Sequence, residues 1–260
     1  MSAWSGLLKK EFRLGLIGVY MAFFLLVACI GFGIFLTWRI DAPEILFTIS
    51  LAVIIGHLFY LPGYLVVSLS GEKGKMHLWL HSPHNGTVLL LAKFLNGLLA
   101  MGVSLLLTSV VALYTGGIVF DISQLNLSWG DAFVIGISVI AHVIGTSIYF
   151  TIWGVFLWVI SQLLAQYVGK LRWPVMIAIV IGGLSLITKW ETSTLYMLLT
   201  EWGAISVDFS GIMLNFEASG MSVEAGNASV FYIGTYVYYA VVAILVFLIT
   251  GWLLDRKVEV

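Results

Sequence analysis

The 260-residue sequence predicts an all-α polytopic membrane protein, and three observations carry that expectation. Hydrophobic residues make up 61% of the chain and charged residues 10%, against roughly 45–50% and roughly 25% in soluble domains. Long apolar runs recur from end to end, most of them at or above the roughly 20 residues that a helix needs to cross a bilayer core. The charges collect in the short stretches between the runs. The formal net charge of −1 carries little information, and no basic patch of the kind that binds nucleic acid is present. The single cysteine, Cys29, excludes an internal disulfide framework and any cysteine-rich metal site.

Residues 2–13 read as an amphipathic interfacial helix ahead of the first span. Trp4, Leu7, Leu8 and Phe12 fall on one face, and Ser2, Ser5, Lys9 and Arg13 on the other. With Lys10, its basic residues suit anionic head groups, so membrane lipids are its expected partner. The first span follows over about 14–38. Leu26-Val27-Ala28-Cys29 within it looks like the end of a lipoprotein signal, but the apolar run continues well past Cys29, which reads as a small buried residue.

Five further spans are expected, over about 45–69, 88–114, 132–164, 173–188 and 231–254. Pro62-Gly63 should loosen the second, because proline removes a backbone donor and crowds the preceding turn. Thr87 is a candidate N-cap for the third. The fourth apolar run is longer than a bilayer needs, so it must tilt, kink near Gly145 or Gly154, or project. Residues 189–230 form the longest polar interval. Helical spacing of Leu195, Leu198, Leu199 and Trp202, and again of Phe209, Ile212, Met213 and Phe216, predicts two short external helices there. Asn126-Leu127-Ser128 and Asn227-Ala228-Ser229 match the glycosylation sequon, a pattern frequent by chance.

Six spans put both termini on one side of the membrane. Ten of the twelve Lys and Arg residues then share the face of the termini, leaving Arg39 and Lys189 opposite. The positive-inside rule makes that face cytoplasmic. Trp38, Trp129, Trp173, Trp190 and Trp252 fall near span ends, where an aromatic belt belongs.

No catalytic constellation emerges. Within the spans His57 and His142 are the main ionisable residues, fewer than an ion-coupled carrier commonly uses. A lone histidine in a span more often makes an interhelical hydrogen bond than relays protons. Ser147 follows His142 by five residues, but no glycine-flanked serine motif accompanies them. There is no HExxH motif, and His77, His81 and His84 have no carboxylate or cysteine in register to complete a metal site. A Walker A sequence is also absent.

The remaining feature is the polar stretch at 70–87 between spans two and three. Glu72-Lys73 opens it, Met76 to Leu80 has helical character, Ser82-Pro83 turns the chain, and Ala92-Lys93-Phe94 follows at the start of span three. Together with LLKKEFRL before span one and the six-span plan, these motifs resemble the permease subunits of ABC-2 type transporters, the membrane halves of bacterial ABC exporters. The resemblance covers nearly the whole chain, with each local motif weak by itself.

It implies a non-catalytic permease that works as a dimer with a second permease chain, identical or related. ATP and Mg would belong to a separate ABC ATPase subunit, and no cofactor to this chain. The helix bearing Trp4, Leu8, Lys9, Lys10, Phe12 and Arg13 becomes the interfacial connecting helix. Glu72, Lys73, Lys75, Met76, Trp79, Leu80 and Pro83 become the coupling segment on which the ATPase docks, and the loop at 163–172 offers a second contact. Leu195, Leu199, Trp202, Phe209, Met213 and Phe216 become external gate helices. His77, His81 and His84 depart from the commonest pattern of the family. Two other classes fit the composition: a membrane sensor or peptide-immunity protein that binds ligand at its external helices, and a secondary transporter.

Overall fold

The computed structural model describes residues 3–72, 84–119, 129–207, 213–217, 220–224 and 229–257. The helices are α1 (Ala3–Ile40), α2 (Glu44–Gly56), α3 (Tyr60–Glu72), α4 (Gly86–Val119), α5 (Trp129–Val168), α6 (Arg172–Glu191), α7 (Thr194–Thr200) and α8 (Ile233–Lys257). Four short strands lie between α7 and α8: β1 (Ala204–Val207), β2 (Met213–Glu217), β3 (Gly220–Glu224) and β4 (Ser229–Tyr232). Among the described residues five helical runs are long and apolar enough to cross a membrane: Trp4–Ile40, Glu44–Glu72, Gly86–Val119, Phe133–Glu191 and Ile233–Arg256. The fourth contains both α5 and α6, divided by a 3-10 turn at Gly169–Leu171 in which Gly169 takes a φ of +54°.

The chain folds as two units. The first comprises residues 1–75, 89–151 and 211–225, and the second residues 76–88, 152–210 and 226–260.

In the first unit, α1 runs without a break through residue 14. The expected separate interfacial helix is therefore absent, because no proline, glycine pair or capping residue interrupts the helical hydrogen bonding between the basic start and the apolar span. The inward face also differs from the expected apolar one. Leu7, Glu11, Gly15 and Leu26 are buried, whereas Phe12 is exposed.

A 3-10 turn at His57–Phe59 separates α2 from α3. It lies just before Pro62, which cannot donate to the carbonyl of Leu58 four residues earlier and whose ring crowds it. The expected loosening is thus displaced one turn toward the N-terminus. The buried stripe Phe47, Ser50, Ile54, His57, Leu61, Leu65 and Leu69 crosses the turn with spacing of three or four residues, so one face stays inward throughout.

α4 is the most enclosed of the long helices. Tyr64 of α3 lies against both α1 and α4, and the approach depends on two glycines. A Cβ at Gly15 would collide with the Tyr64 hydroxyl, and one at Gly97 would stand 2.5 Å from the Tyr64 ring and 2.8 Å from Leu61. α5 continues as one unbroken helix through Gly145 and Gly154. The outer faces of these helices carry large exposed apolar side chains, Ile17, Met21 and Phe24 among them, as contact with lipid requires.

In the second unit, Asp255 near the end of α8 accepts a hydrogen bond from the Gly86 backbone amide at 2.6 Å. Asn85 Oδ1 accepts from Val88 N at 3.2 Å, which makes Asn85 the N-cap of α4. Thr87 was expected there but lies inside the helix, against Gly251 of α8. None of the residues of α6 is buried. α7 begins on Ser193, whose hydroxyl accepts from Tyr196 N at 3.2 Å, and it packs on the start of α8 through the Thr235 hydroxyl, which donates to Thr200 O at 3.3 Å.

β1 pairs antiparallel with β4, from Ala204↔Tyr232 to Val207↔Ser229, and brings the two ends of the 204–232 interval together. β2 pairs antiparallel with β3, from Met213↔Glu224 to Glu217↔Gly220. Met213 and Phe216 therefore lie on a strand, not on the expected second external helix. A short apolar run satisfies either period, and pairing with β3 decides for the extended form. The position of Phe209 lies outside the described residues.

Replacing Gly97 with valine should lower stability by about 1–3 kcal/mol, the range for overpacking a filled core. In detergent-solubilised protein this appears as a lower thermal midpoint, and adding Tyr64→Ala should recover part of the loss. Equal losses with and without Tyr64 would contradict the packing.

Candidate functional site

One ammonium group and two carboxyl groups meet where α1, α3 and α4 converge. Lys93, in the second turn of α4, is 1% exposed, and Glu11 of α1 is 2% exposed. Lys93 Nζ donates to Glu11 Oε2 at 2.5 Å, to Ser68 Oγ at 3.1 Å and to Glu72 Oε1 at 3.3 Å. Ser68 and Glu72 stand four residues apart on the last turn of α3, so both face the same neighbour. One turn further along α4, Asn96 Nδ2 donates to Leu8 O on α1 at 3.2 Å and to Ala92 O at 3.0 Å. The second carboxyl oxygen of Glu11, Oε1, is buried without a hydrogen-bond partner among the described residues.

Such a cluster is costly to bury and costly to break. Desolvation offsets much of the attraction between buried charges, but removing one partner strands the others. Its structural effect is to fix three helices in register, as a buried polar group does when its alternatives are unsatisfied.

A second polar cluster lies at the 3-10 turn. His57 is buried, with Nδ1 2.7 Å from Val53 O and Nε2 2.9 Å from Ser104 Oγ on α4. Its carbonyl, which accepts from Tyr60 N within the turn, also accepts from Ser147 Oγ of α5 at 3.2 Å. Tyr60 stacks on the imidazole with centroids 5.7 Å apart. Thr108 and Thr151 return their hydroxyls to Ser104 O at 2.9 Å and Ser147 O at 2.6 Å on their own helices. The cluster satisfies each of these groups internally and is an interhelical clamp. His142, sequence neighbour of Ser147, is exposed.

In the second unit an aromatic cluster joins α6, α7 and α8. Trp190 Nε1 donates to the Tyr238 hydroxyl at 2.8 Å, the Tyr239 hydroxyl donates to Glu191 Oε1 at 3.1 Å, and the hydroxyls of Tyr196 and Tyr239 are 3.0 Å apart. Tyr196 and Tyr238 meet edge to face with centroids at 5.4 Å. These side chains are mostly spent on one another.

The sequence-derived sites are placed unevenly. Of the coupling segment, Glu72 is described, and it serves Lys93. Lys73, Lys75, Met76, Trp79, Leu80 and Pro83 lie outside the described residues. On α1, Lys9, Lys10, Phe12 and Arg13 are exposed, with Trp4 and Leu8 half-buried. Leu195 and Leu199 ride on α7 and Trp202 follows it, all three exposed. His57 makes the interhelical bond that its position suggests. Glu11, Ser68 and Asn96 were missed by sequence reasoning. One signal for Glu11 was available, since it is the single acid in α1 and stands four residues from both Leu7 and Gly15 on the buried face.

No family model, no curated protein sequence and no solved structure matches this chain.

Replacing Lys93 with methionine should cost about 3–5 kcal/mol, because two carboxyl groups lose their buried partner. Adding Glu11→Gln to that variant should restore part of the loss. Thermal unfolding in detergent reads both, and an unchanged midpoint for Lys93→Met would refute a stabilising cluster. A double-mutant cycle on His57→Ala and Ser104→Ala should give a coupling of about 0.6 kcal/mol, the average for hydrogen bonds between helices in a membrane.

Proposed function

We propose that this chain is the permease subunit of an ABC-2 type ABC exporter in a bacterial cell membrane. In this reading it crosses the membrane six times with both termini in the cytoplasm, α5 and α6 each forming a span. It forms the substrate pathway with a second permease chain, identical or related. It binds no cofactor and catalyses no reaction; ATP and Mg belong to a separate ATPase subunit that docks on the coupling segment between α3 and α4.

The observation that carries this reading is the ion cluster at the two exits of that segment. α3 ends on Glu72, directly before residues 73–83, and Lys93 lies two turns into the helix that follows them. Lys93 binds both Glu72 and Glu11. A force on the segment is thereby delivered to α1, α3 and α4 together. Closure of two ATPase subunits would move this linked set and switch the pathway between inward and outward states, a rigid-body transition of the kind that packed interfaces support.

A secondary transporter is the second reading, because buried ionisable residues within membrane helices are functional candidates by default. The driving force separates the two. A permease moves substrate only with its ATPase and ATP, whereas a carrier follows an ion gradient.

The double variant Met76→Ala with Trp79→Ala removes two large apolar side chains from the segment. It should insert normally and lose co-purification of the ATPase subunit at least tenfold, read by mass spectrometry of the intact complex. Unchanged co-purification would sink the docking assignment, and flux in proteoliposomes driven by an ion gradient without ATP would sink the permease reading.

A further inference from the structure

The basic residues of α1 take no part in the ion cluster beside them. At about 100° per residue, Lys9, Lys10 and Arg13 occupy the side of the helix opposite Leu7, Glu11 and Gly15. The latter three are buried, and the three cations are exposed. Glu11, the single acid of α1, is turned inward to Lys93. Among the described residues the ion pairs are those of Lys93 with Glu11 and Glu72. Three positive charges therefore stand together on one helix face with no ion pair to a carboxyl group among the described residues.

The face has a defined shape. Gly6, Lys9, Lys10, Arg13 and Leu14 line a shallow hollow, and a Cβ at Gly6 would meet nothing within 4 Å, so the floor of the hollow is open backbone. From the hollow the same face continues without a helix break as Ile17, Met21 and Phe24, which are 72%, 69% and 76% exposed. A cationic recess therefore runs directly into an uncovered apolar stripe. A soluble anion would use only the recess, and an acidic protein surface would leave the stripe bare. An amphiphile with an anionic head and an acyl chain satisfies both parts.

We propose that this face of α1 binds one anionic phospholipid, its phosphodiester held by Lys9, Lys10 and Arg13 and an acyl chain laid along Ile17, Met21 and Phe24. Cations at an anionic membrane surface each strengthen attraction severalfold, so three together give a preference on the order of tenfold to a hundredfold over a zwitterionic lipid. The site requires membrane insertion of α1 and nothing of the transport reading.

The test uses the full-length chain in nanodiscs of mixed phosphatidylglycerol and phosphatidylcholine, released into the gas phase for native mass spectrometry. The wild type should retain phosphatidylglycerol over phosphatidylcholine at least tenfold. Lys9→Gln with Lys10→Gln and Arg13→Gln should abolish that preference, whereas Lys9→Arg with Lys10→Arg should keep it. Neutralising a basic pair elsewhere, Lys170→Gln with Arg172→Gln, should leave it unchanged. Phosphatidylglycerol carrying a photoreactive acyl chain should crosslink to the 17–24 stretch of α1 in the wild type. Millimolar inorganic phosphate should not displace the lipid.

The proposal is overturned by a wild type without preference, by full retention in the neutralised variant, or by equal loss on neutralising Lys170 and Arg172. It is likewise overturned if inorganic phosphate displaces the lipid, or if neutralisation releases an acidic protein while lipid retention stays the same. Should the neutralised variant not fold, the wild-type preference and the crosslink site decide the matter.

Discussion

Lys93 is held between Glu11, buried like itself, and Glu72, which is 15% exposed at the edge of the cluster, and much of the arrangement of the first unit follows from that pairing. An ammonium group in such a place needs its partners in position at all times. α1 must therefore keep Glu11 turned inward, α3 must end with Ser68 and Glu72 on the side facing α4, and α4 must carry Lys93 at the same level. Asn96 extends the bond one turn onward by tying α4 to the backbone of α1 at Leu8. Helices in lipid gain little from hydrophobic attraction to one another, so close packing and polar contacts of this sort set their register.

The same constraint accounts for the middle of the unit. Pro62 interrupts the helical ladder at the carbonyl of Leu58. In the turn just before it His57 O accepts from Tyr60 N and also from Ser147 Oγ, and the imidazole of the same residue is bonded to Ser104. The turn is thus stabilised from both α4 and α5, and the buried stripe from Phe47 to Leu69 passes through it unchanged. Close approach completes the packing: Gly15 and Gly97 let the Tyr64 ring lie where any larger residue would hold α1, α3 and α4 apart.

These contacts define what a movement at one end of the helices would do. Ion cluster, tyrosine slot and histidine clamp succeed one another along α3 and α4, so a displacement entering at Glu72 meets a linked set of helices and not a single flexible one. In the second unit the pairing of β1 with β4 and the tyrosines around Glu191 play the corresponding part, closing the 204–232 interval onto the ends of α7 and α8. The uncovered faces, much of α6 and the outer side of α1, are left to lipid or to other chains.

Composition and periodicity were enough to determine a helical chain with several membrane-length apolar runs, because burial of backbone polar groups in an apolar solvent leaves few other forms. They singled out His57 as one of the main ionisable residues within the apolar runs, whereas Lys93 entered only through the family resemblance. They did not distinguish strand from helix at Met213–Glu217, a five-residue segment whose three apolar residues, Met213, Leu214 and Phe216, decide for neither period until β3 pairs with it. Nor did they join residues 3–13 to the first span as one helix or turn Glu11 inward, since local amphipathicity grouped Leu7 with Phe12 and left the acid unassigned. That Glu11 meets Lys93 across 82 residues of sequence was decided only in the tertiary structure. The reason is physical: a charge's partner is chosen by which helix faces are brought together, and that choice minimises unpaired buried groups over the whole assembly, a sum that no single segment contains.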